Sequence, residues 1–298
     1  MFQRATRKKV KLRLSIAGLS GSGKTWSALE IATGMYPNGK IALLDSEANR
    51  GELYAENFDY CTMQIAAPFS TDKYIKAIKS AEQEGFDILI IDSLSHAWVG
   101  DGGVLSEVEK AGGQFQNGWK KGTPQHNALV EAIVQSKLHI IATMRSKADY
   151  VVEMNEKGKN APRKVGLAPV QRDGLEYEFT IAMDIDHSHV AHVTKDNTNL
   201  FDQQYIKPTK EMGEQIMNWL NSGIDENQIF FDKVYPKILG DILNTKTLLE
   251  LQITYTTYYK KYAEKHSNYW NDIVVAKDQQ KVLLQNLLET TESLGLGD

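Results

Sequence analysis

The chain has 298 residues, 42% of them hydrophobic and 24% charged, a composition that excludes a disordered or fibrous protein and leaves room for one large domain and one small. A net charge of -4 excludes a globally basic nucleic-acid binder, so any such contact must come from local basic segments. Cys61 is the only cysteine, which excludes an intramolecular disulfide, and no apolar run approaches the roughly 20 residues that span a bilayer, so the expectation is a cytoplasmic protein.

Arg4, Arg7, Lys8, Lys9, Lys11 and Arg13 form a basic arm ahead of a short strand ending at Ile16 and Ala17. A glycine-rich turn follows, then residues 26–33 with helical spacing, closed by Gly34, Pro37 and Gly39. Continuous apolar runs predict buried strands over 40–45, 87–92 and 139–143, the later ones each preceded by a helical stretch, so the sheet is mainly parallel. Residues 177–184 and 189–194 lie close together with no helix between them, which predicts antiparallel edge strands. His187, His189 and His192 are expected on one polar face of the last strand, with no carboxylate or thiol motif to make them a metal site. From about residue 208 no strand pattern remains, and Thr247 with Glu250 forms a capping box for a helix that carries Leu248, Leu251, Tyr255, Tyr258 and Tyr262 on one face. The expected organisation is an α/β domain over 1–207, with a mainly parallel sheet, antiparallel edge strands and flanking helices, and a small helical domain over 208–298.

The segment Gly18-Leu-Ser20-Gly21-Ser22-Gly23-Lys24-Thr25 sits between a predicted strand and a predicted helix. That context makes it a phosphate-binding loop: the glycines let backbone N–H groups turn inward, Lys24 reaches the β and γ phosphates of ATP, and the Thr25 hydroxyl binds Mg²⁺. Asp92 ends the apolar strand 88–91 and has the placement of a carboxylate that orients Mg²⁺, the plain alternative being a strand-end Asp that caps the next turn. Glu47, two residues past the strand ending at Asp45, can face the γ phosphate and orient water; the plain alternative is a solvated loop carboxylate.

In their order along the chain these segments resemble RecA-like ATPases, and more closely the phage-encoded RecA-core nucleotide-binding proteins of single-strand recombination. The stretch from Leu44 through Glu47 to Tyr54 is similar to the family's second-strand motif, which implies Glu47 as catalytic base and Tyr54 as the platform for adenine. Residues 91–94 are similar to the family's metal-orienting strand, and Thr143 falls at its γ-phosphate sensor, in place of the usual amide, with Arg145 opening the DNA-binding loop. Lys195 falls where the family places basic residues that reach a neighbouring subunit's ATP; a solvated hairpin lysine is the alternative. The resemblance covers about residues 10 to 205 and implies a homo-oligomer, ring or filament, acting on single-stranded DNA, with a single-strand-binding protein as a further partner.

Two stretches do not read as core. Residues 98–123 combine seven glycines with Phe115, Trp119, Lys120 and Lys121, which suits a mobile loop that tracks a single strand by stacking and phosphate contact. Residues 145–172 carry Arg145, Lys147, Lys157, Lys159, Arg163 and Lys164, and stand where the family has its second DNA loop. Glu107, Glu109, Asp149, Glu153 and Glu156 dilute both, so a solvated surface insertion is the competing reading. The leading function is an ATP-hydrolysing single-stranded DNA-binding protein of recombination or annealing. A nucleotide-gated module that recruits replication partners with negligible turnover is the second, and a small-molecule P-loop kinase the third, although the stretch after Thr143 lacks the arginine-rich lid a kinase needs.

Overall fold

The computed structural model describes residues 5–48, 50–113, 117–154 and 160–293 and divides into two compact units. The larger, residues 10–222, begins with β1 (Arg13–Gly18), α1 (Lys24–Met35), β2 (Ile41–Asp45), β3 (Cys61–Gln64), α2 (Thr71–Gln83) and β4 (Ile88–Asp92). It continues through α3 (Ser95–Val99), α4 (Val104–Lys110), α5 (Gly118–Gln135), β5 (His139–Met154) and β6 (Asn160–Pro169) to β7 (Ile181–Ile185), β8 (Ala191–Asp196), β9 (Tyr205–Ile206) and α6 (Lys210–Asn221). The sheet order is β3-β2-β4-β5-β1-β7-β8-β9, parallel from β3 to β7 and antiparallel from there to β9, with β6 paired to β5 alone. This is the mainly parallel sheet with antiparallel edge strands and flanking helices expected from the sequence.

The apolar runs are continuous because both faces of the sheet are covered, and alternate side chains serve opposite cores. Ile88 and Ile90 join Leu14, Ile16 and Leu43 beneath α1 and α6, whereas Leu89 and Ile91 join Leu44, Ile140 and Ala142 beneath α2 and α5. Helix α6 belongs to this unit, which runs to Ser222. The cause is close helix packing: a Cβ on Gly34 of α1 would lie 1.9 Å from the Lys210 carbonyl oxygen, and one on Gly213 of α6 would lie 2.2 Å from that of Ile31. Arg13 is not part of a solvated arm; it is buried and donates to the carbonyls of Leu138 at 2.8 Å and Ser136 at 2.5 Å.

Among the described residues, both segments read as loops hold regular elements. The first holds α3, α4 and α5, with Trp98, Val104 and Val108 making a small core of their own on which Trp119 packs. Strand β5 runs on past the end of β4 and pairs antiparallel with β6 from Ser146↔Pro169 to Met154↔Asn160. His187 and His189 lie between β7 and β8 and only His192 is on β8, stacked on Tyr205 at 4.3 Å, so the three share no strand face.

The smaller unit joins the described part of residues 1–9 to the helices α7 (Glu226–Ile229), α8 (Tyr235–Leu243), α9 (Leu248–Tyr262) and α10 (Ser267–Ser293). Its core is Phe230, Ile238, Ile242, Leu251, Trp270, Ile273 and Leu284. Thr247 caps α9, its hydroxyl oxygen accepting the Glu250 N–H at 3.1 Å. The N-terminal segment is tied here by a bridge between Lys8 and Ile224 and by ion pairs from Lys8 to Glu226 and Lys9 to Asp225. Among the described residues no helix is long and apolar enough to cross a membrane.

Candidate functional site

Strand β1 delivers its chain, fully buried, to Gly18, where any side chain would collide with the Ile185 carbonyl and the Ser22 hydroxyl, both 2.6 Å from an ideal Cβ. The loop then folds back on itself, with Ser22 Oγ and Lys24 Nζ both donating to the Leu19 carbonyl at 2.9 and 2.8 Å. Gly23, at φ +87°, begins α1 with no side-chain cap and no acidic residue in the first turn, so the helix's leading N–H groups are left to a ligand. Burial lowers the Lys24 ammonium's pKa, while the charges of Asp92 and Glu47 act against that shift.

Asp92, the last residue of β4, is 5% exposed and accepts two hydroxyl hydrogen bonds, from Thr25 to Oδ2 and from Thr143 to Oδ1, each at 2.5 Å. Burial raises its pKa and the two hydroxyls oppose that rise. Thr143, expected as a γ-phosphate sensor, is fully buried with its hydroxyl committed to Asp92, so it orients the carboxylate instead of lining the cavity. The pairing of Thr25 with Asp92 is the donor set that Mg²⁺ takes in nucleotide sites, one carboxylate and one hydroxyl beside phosphate oxygens.

Asp45, buried at the end of β2, shapes the next turn by accepting the N–H groups of Glu47 at 2.5 Å and Gly51 at 3.1 Å. Glu47 is thereby held inward, its side chain only 17% exposed. Its Oε1 accepts from Arg145 Nε at 2.9 Å and from Ser93 Oγ at 3.2 Å, and its Oε2 accepts from Arg145 Nη2 at 2.6 Å. Burial pushes the Glu47 pKa up, but the Arg145 hydrogen bond and charge, with smaller help from His96 and Ser93, bring it below the usual carboxylate value. Arg145, expected on a DNA loop, is instead a neighbour of the phosphate loop. It borders, with Lys24, Thr25, Glu47, Asp92 and Tyr54, a cavity of about 560 Å³.

A second cavity, of about 630 Å³, shares Gly21, Gly23 and Tyr54 with the first and is walled by Trp26, His189 and Pro208. Trp26 meets Tyr54 edge-on at 5.8 Å and Phe58 at 4.9 Å. The first cavity sets Lys24, Arg50 and Arg145 beside the carboxylates Glu47 and Asp92, and the second adds the Trp26 ring, an arrangement with room for phosphates, a cation and a base. Trp26 was not singled out from the sequence, and His189 only as one of three histidines on a strand face. An exposed tryptophan directly after Lys24 and Thr25 was the available signal for the first; His189 Nδ1 meets the Ser22 carbonyl at 2.9 Å across 167 positions, and no local pattern announces that.

Other expected residues lie apart from this cavity. Lys195 donates to the carbonyls of Glu176 at 3.2 Å and Tyr177 at 2.7 Å. Trp119 packs against Trp98 at 6.0 Å with the Arg172 guanidinium 5.6 Å over its ring, so a face on which a base would stack is already covered. Lys121 pairs with Glu107 at 2.7 Å, and Lys120 and Lys147 are exposed. Arg163 and Lys164 stand on β6 opposite Val151 and Tyr150, while Lys157 and Lys159 lie outside the described residues.

A family model described as an AAA domain matches residues 10–216. No curated protein matches the chain. Among solved structures the chain is similar to one titled "Crystal structure of the RadB recombinase", with 16% identity over 70% of this chain and 90% of that one, at a TM-score of 0.38.

Proposed function

Starting from a chain that belongs to the AAA domain family, we propose a RecA-like, ATP-dependent single-stranded DNA-binding protein that acts in recombination or annealing of the kind phages encode. The observation that carries this reading is the continuity of β5. The strand brings Thr143 and Arg145 to the phosphate end and runs without a break into its antiparallel ladder with β6. The sequence from Lys147 to Lys164 carries Lys147, Lys157, Lys159, Arg163 and Lys164, a basic set suited to phosphate contacts. Lys120 and Lys121 offer a second set, and Trp119 is left as a packing residue.

At the nucleotide site Lys24 and the loop amides of Gly18, Ser20, Gly21, Ser22 and Gly23 hold the β and γ phosphates, and Tyr54 with Trp26 receives the adenine. Thr25 and Asp92 would hold Mg²⁺, which neutralises charge on the phosphate oxygens. Thr143 fixes the orientation of Asp92. Glu47 orients the attacking water and accepts its proton once its carboxylate is free. The protein works as a homo-oligomer, ring or filament, beside a single-strand-binding protein. Lys195 reaches a neighbour's nucleotide only by releasing the carbonyls of Glu176 and Tyr177.

One observation favours a second reading, a nucleotide-gated module with negligible turnover: both Glu47 oxygens are engaged by Arg145. ATPase rate with and without single-stranded DNA, beside a Lys24→Ala control, decides between them. DNA-stimulated turnover that is lost in Lys24→Ala, with oligonucleotide affinity falling steeply with salt, supports the first. ATP binding with no turnover favours the module, and an absence of oligonucleotide binding with ATP at low salt removes the recombination role.

A further inference from the structure

Arg145 stands between two partners. Its guanidinium is forked onto Glu47, with Nε to Oε1 at 2.9 Å and Nη2 to Oε2 at 2.6 Å. It also borders the cavity that holds Lys24, Thr25 and Asp92. A planar guanidinium recognises a carboxylate and a phosphate with the same two-point geometry, so the two compete for it. The backbone around it is pinned: its N–H donates to Ser95 Oγ at 2.9 Å and its carbonyl accepts the Val170 N–H at 2.6 Å. An exchange of partners is therefore a side-chain movement that leaves the strand in place. The side chain has room for it, being 46% exposed where that of Glu47 is 17% exposed.

We propose that Arg145 is a positioning residue that clasps Glu47 in the nucleotide-free protein and transfers to the terminal phosphate of ATP, releasing Glu47 for water only when that phosphate is present. This rests on the reading of the cavity as an ATP site and adds a regulatory step to it. In the clasped state Oε1 serves Arg145 and Ser93 and Oε2 serves Arg145, so the carboxylate has little capacity left to take a proton from water. ADP, lacking the terminal phosphate, offers the guanidinium no substitute, so the clasp persists with ADP and opens with ATP. Part of the ATP binding energy is spent opening it, and removing Glu47's charge returns that part.

The test is a double-mutant cycle on nucleotide affinity, read by calorimetry with Mg-ATPγS and Mg-ADP on the full chain. Glu47→Gln is expected to tighten ATPγS binding about tenfold and to change ADP binding less than twofold, a coupling within the ordinary allosteric range. Arg145→Gln is expected to weaken ATPγS about tenfold or more and to spare ADP. In the Arg145→Gln background, Glu47→Gln is expected to have a smaller effect on ATPγS than in the parent, because no clasp remains to open. Arg145→Lys, which keeps the charge and loses the fork, should recover only part of the preference for ATPγS over ADP.

A purely structural ion pair gives the opposite sign. If Arg145 stays on Glu47 with ATP bound, Glu47 is neutralised in the parent and bare in Arg145→Gln, so Glu47→Gln has its larger effect in the Arg145→Gln background. That result overturns the proposal, as does an equal change in ATPγS and ADP affinity. Thermal unfolding of each variant separates loss of fold from loss of binding. If the parent binds neither nucleotide, or Lys24→Ala binds as well as the parent, the ATP-site reading itself falls. If parent and control behave as expected and the cycle has the wrong sign, only the clasp falls.

Discussion

Two glycine-rich stretches of this molecule use the same residue for opposite ends. In the phosphate loop, Gly21 and Gly23 adopt φ of +79° and +87°, a left-handed backbone that turns amides toward a ligand. In 98–123 the helical glycines serve packing. A Cβ on Gly118 would lie 2.4 Å from the Val108 carbonyl oxygen, and one on Gly122 would lie 2.3 Å from Val108 Cγ2, so α5 approaches α4 as closely as it does only because both are glycine. Glycine content alone reads as mobility in both places. What separates them is the frame: a buried strand leads into the first and a helix N-terminus receives it, whereas the second carries Val104 and Val108 one helical turn apart, with Trp119 packed over them.

The largest effect expected from breaking this contrast is at Gly23. Alanine there keeps a left-handed φ that costs an L-residue roughly 1–2 kcal/mol, and its Cβ would lie 2.8 Å from His189 Nδ1. His189 is exposed and anchored to the Ser22 carbonyl at 2.9 Å, so withdrawing its ring costs the loop that hydrogen bond. Gly23→Ala should therefore lower Mg-ATP affinity by on the order of 100-fold, about 2.7 kcal/mol, measured by calorimetry. Adding His189→Ala should recover part of that by removing the collision and leaving the φ strain. Equal affinity in Gly23→Ala and parent would mean that the loop does not hold phosphate in this conformation.

Gly118→Ala tests the other half. The obstructing atom is a backbone carbonyl oxygen, which cannot rotate away, so α5 must shift along α4. Overpacking of this kind costs about 1–3 kcal/mol of unfolding free energy in denaturant titration. ATP affinity should stay within about twofold of the parent, since no residue of this contact borders either nucleotide cavity. Gly23→Ala losing ligand and Gly118→Ala losing stability would establish the division; a loss of ATP binding in Gly118→Ala would erase it.

The same contrast explains what could be read in advance. The strands carrying Gly18, Asp45 and Asp92 are buried on both faces, and burial on both faces leaves a continuous apolar run such as Ile88 to Ile91 that needs no tertiary context to recognise. The edge strand β3, Cys61-Thr-Met-Gln64, is exposed along its length and leaves no such trace. The stretch that forms the β5–β6 ladder carries Pro162 and mixed charges and so imitates a loop in sequence. Thr143 and Arg145 were assigned by position to a sensor and a DNA loop, yet their partners are Asp92, 51 residues away, and Glu47, 98 residues away. Side-chain pairing over such distances writes nothing into local spacing, and only the parallel register of β2, β4, β5 and β1 brings the groups together.

The smallest expected effect is at Gly122, and it isolates the packing use of glycine from its backbone freedom. Gly122 lies inside α5, where replacing glycine by alanine favours the helix by roughly 0.5–1 kcal/mol. Against that gain stands the Val108 Cγ2 methyl at 2.3 Å, a side-chain atom that can move in a way the carbonyl facing Gly118 cannot. The two terms oppose each other, so Gly122→Ala should change unfolding free energy by less than about 1 kcal/mol, with a net loss in the parent background. Val108→Ala removes the colliding methyl and leaves a cavity that the new Cβ partly fills. The double variant should then be more stable than the sum of the two single changes by about 0.5 kcal/mol or more, the coupling expected of residues in direct contact. Strict additivity in denaturant titrations would show that Gly122 and Val108 do not meet, and would return 98–123 to the mobile loop that its glycines suggest.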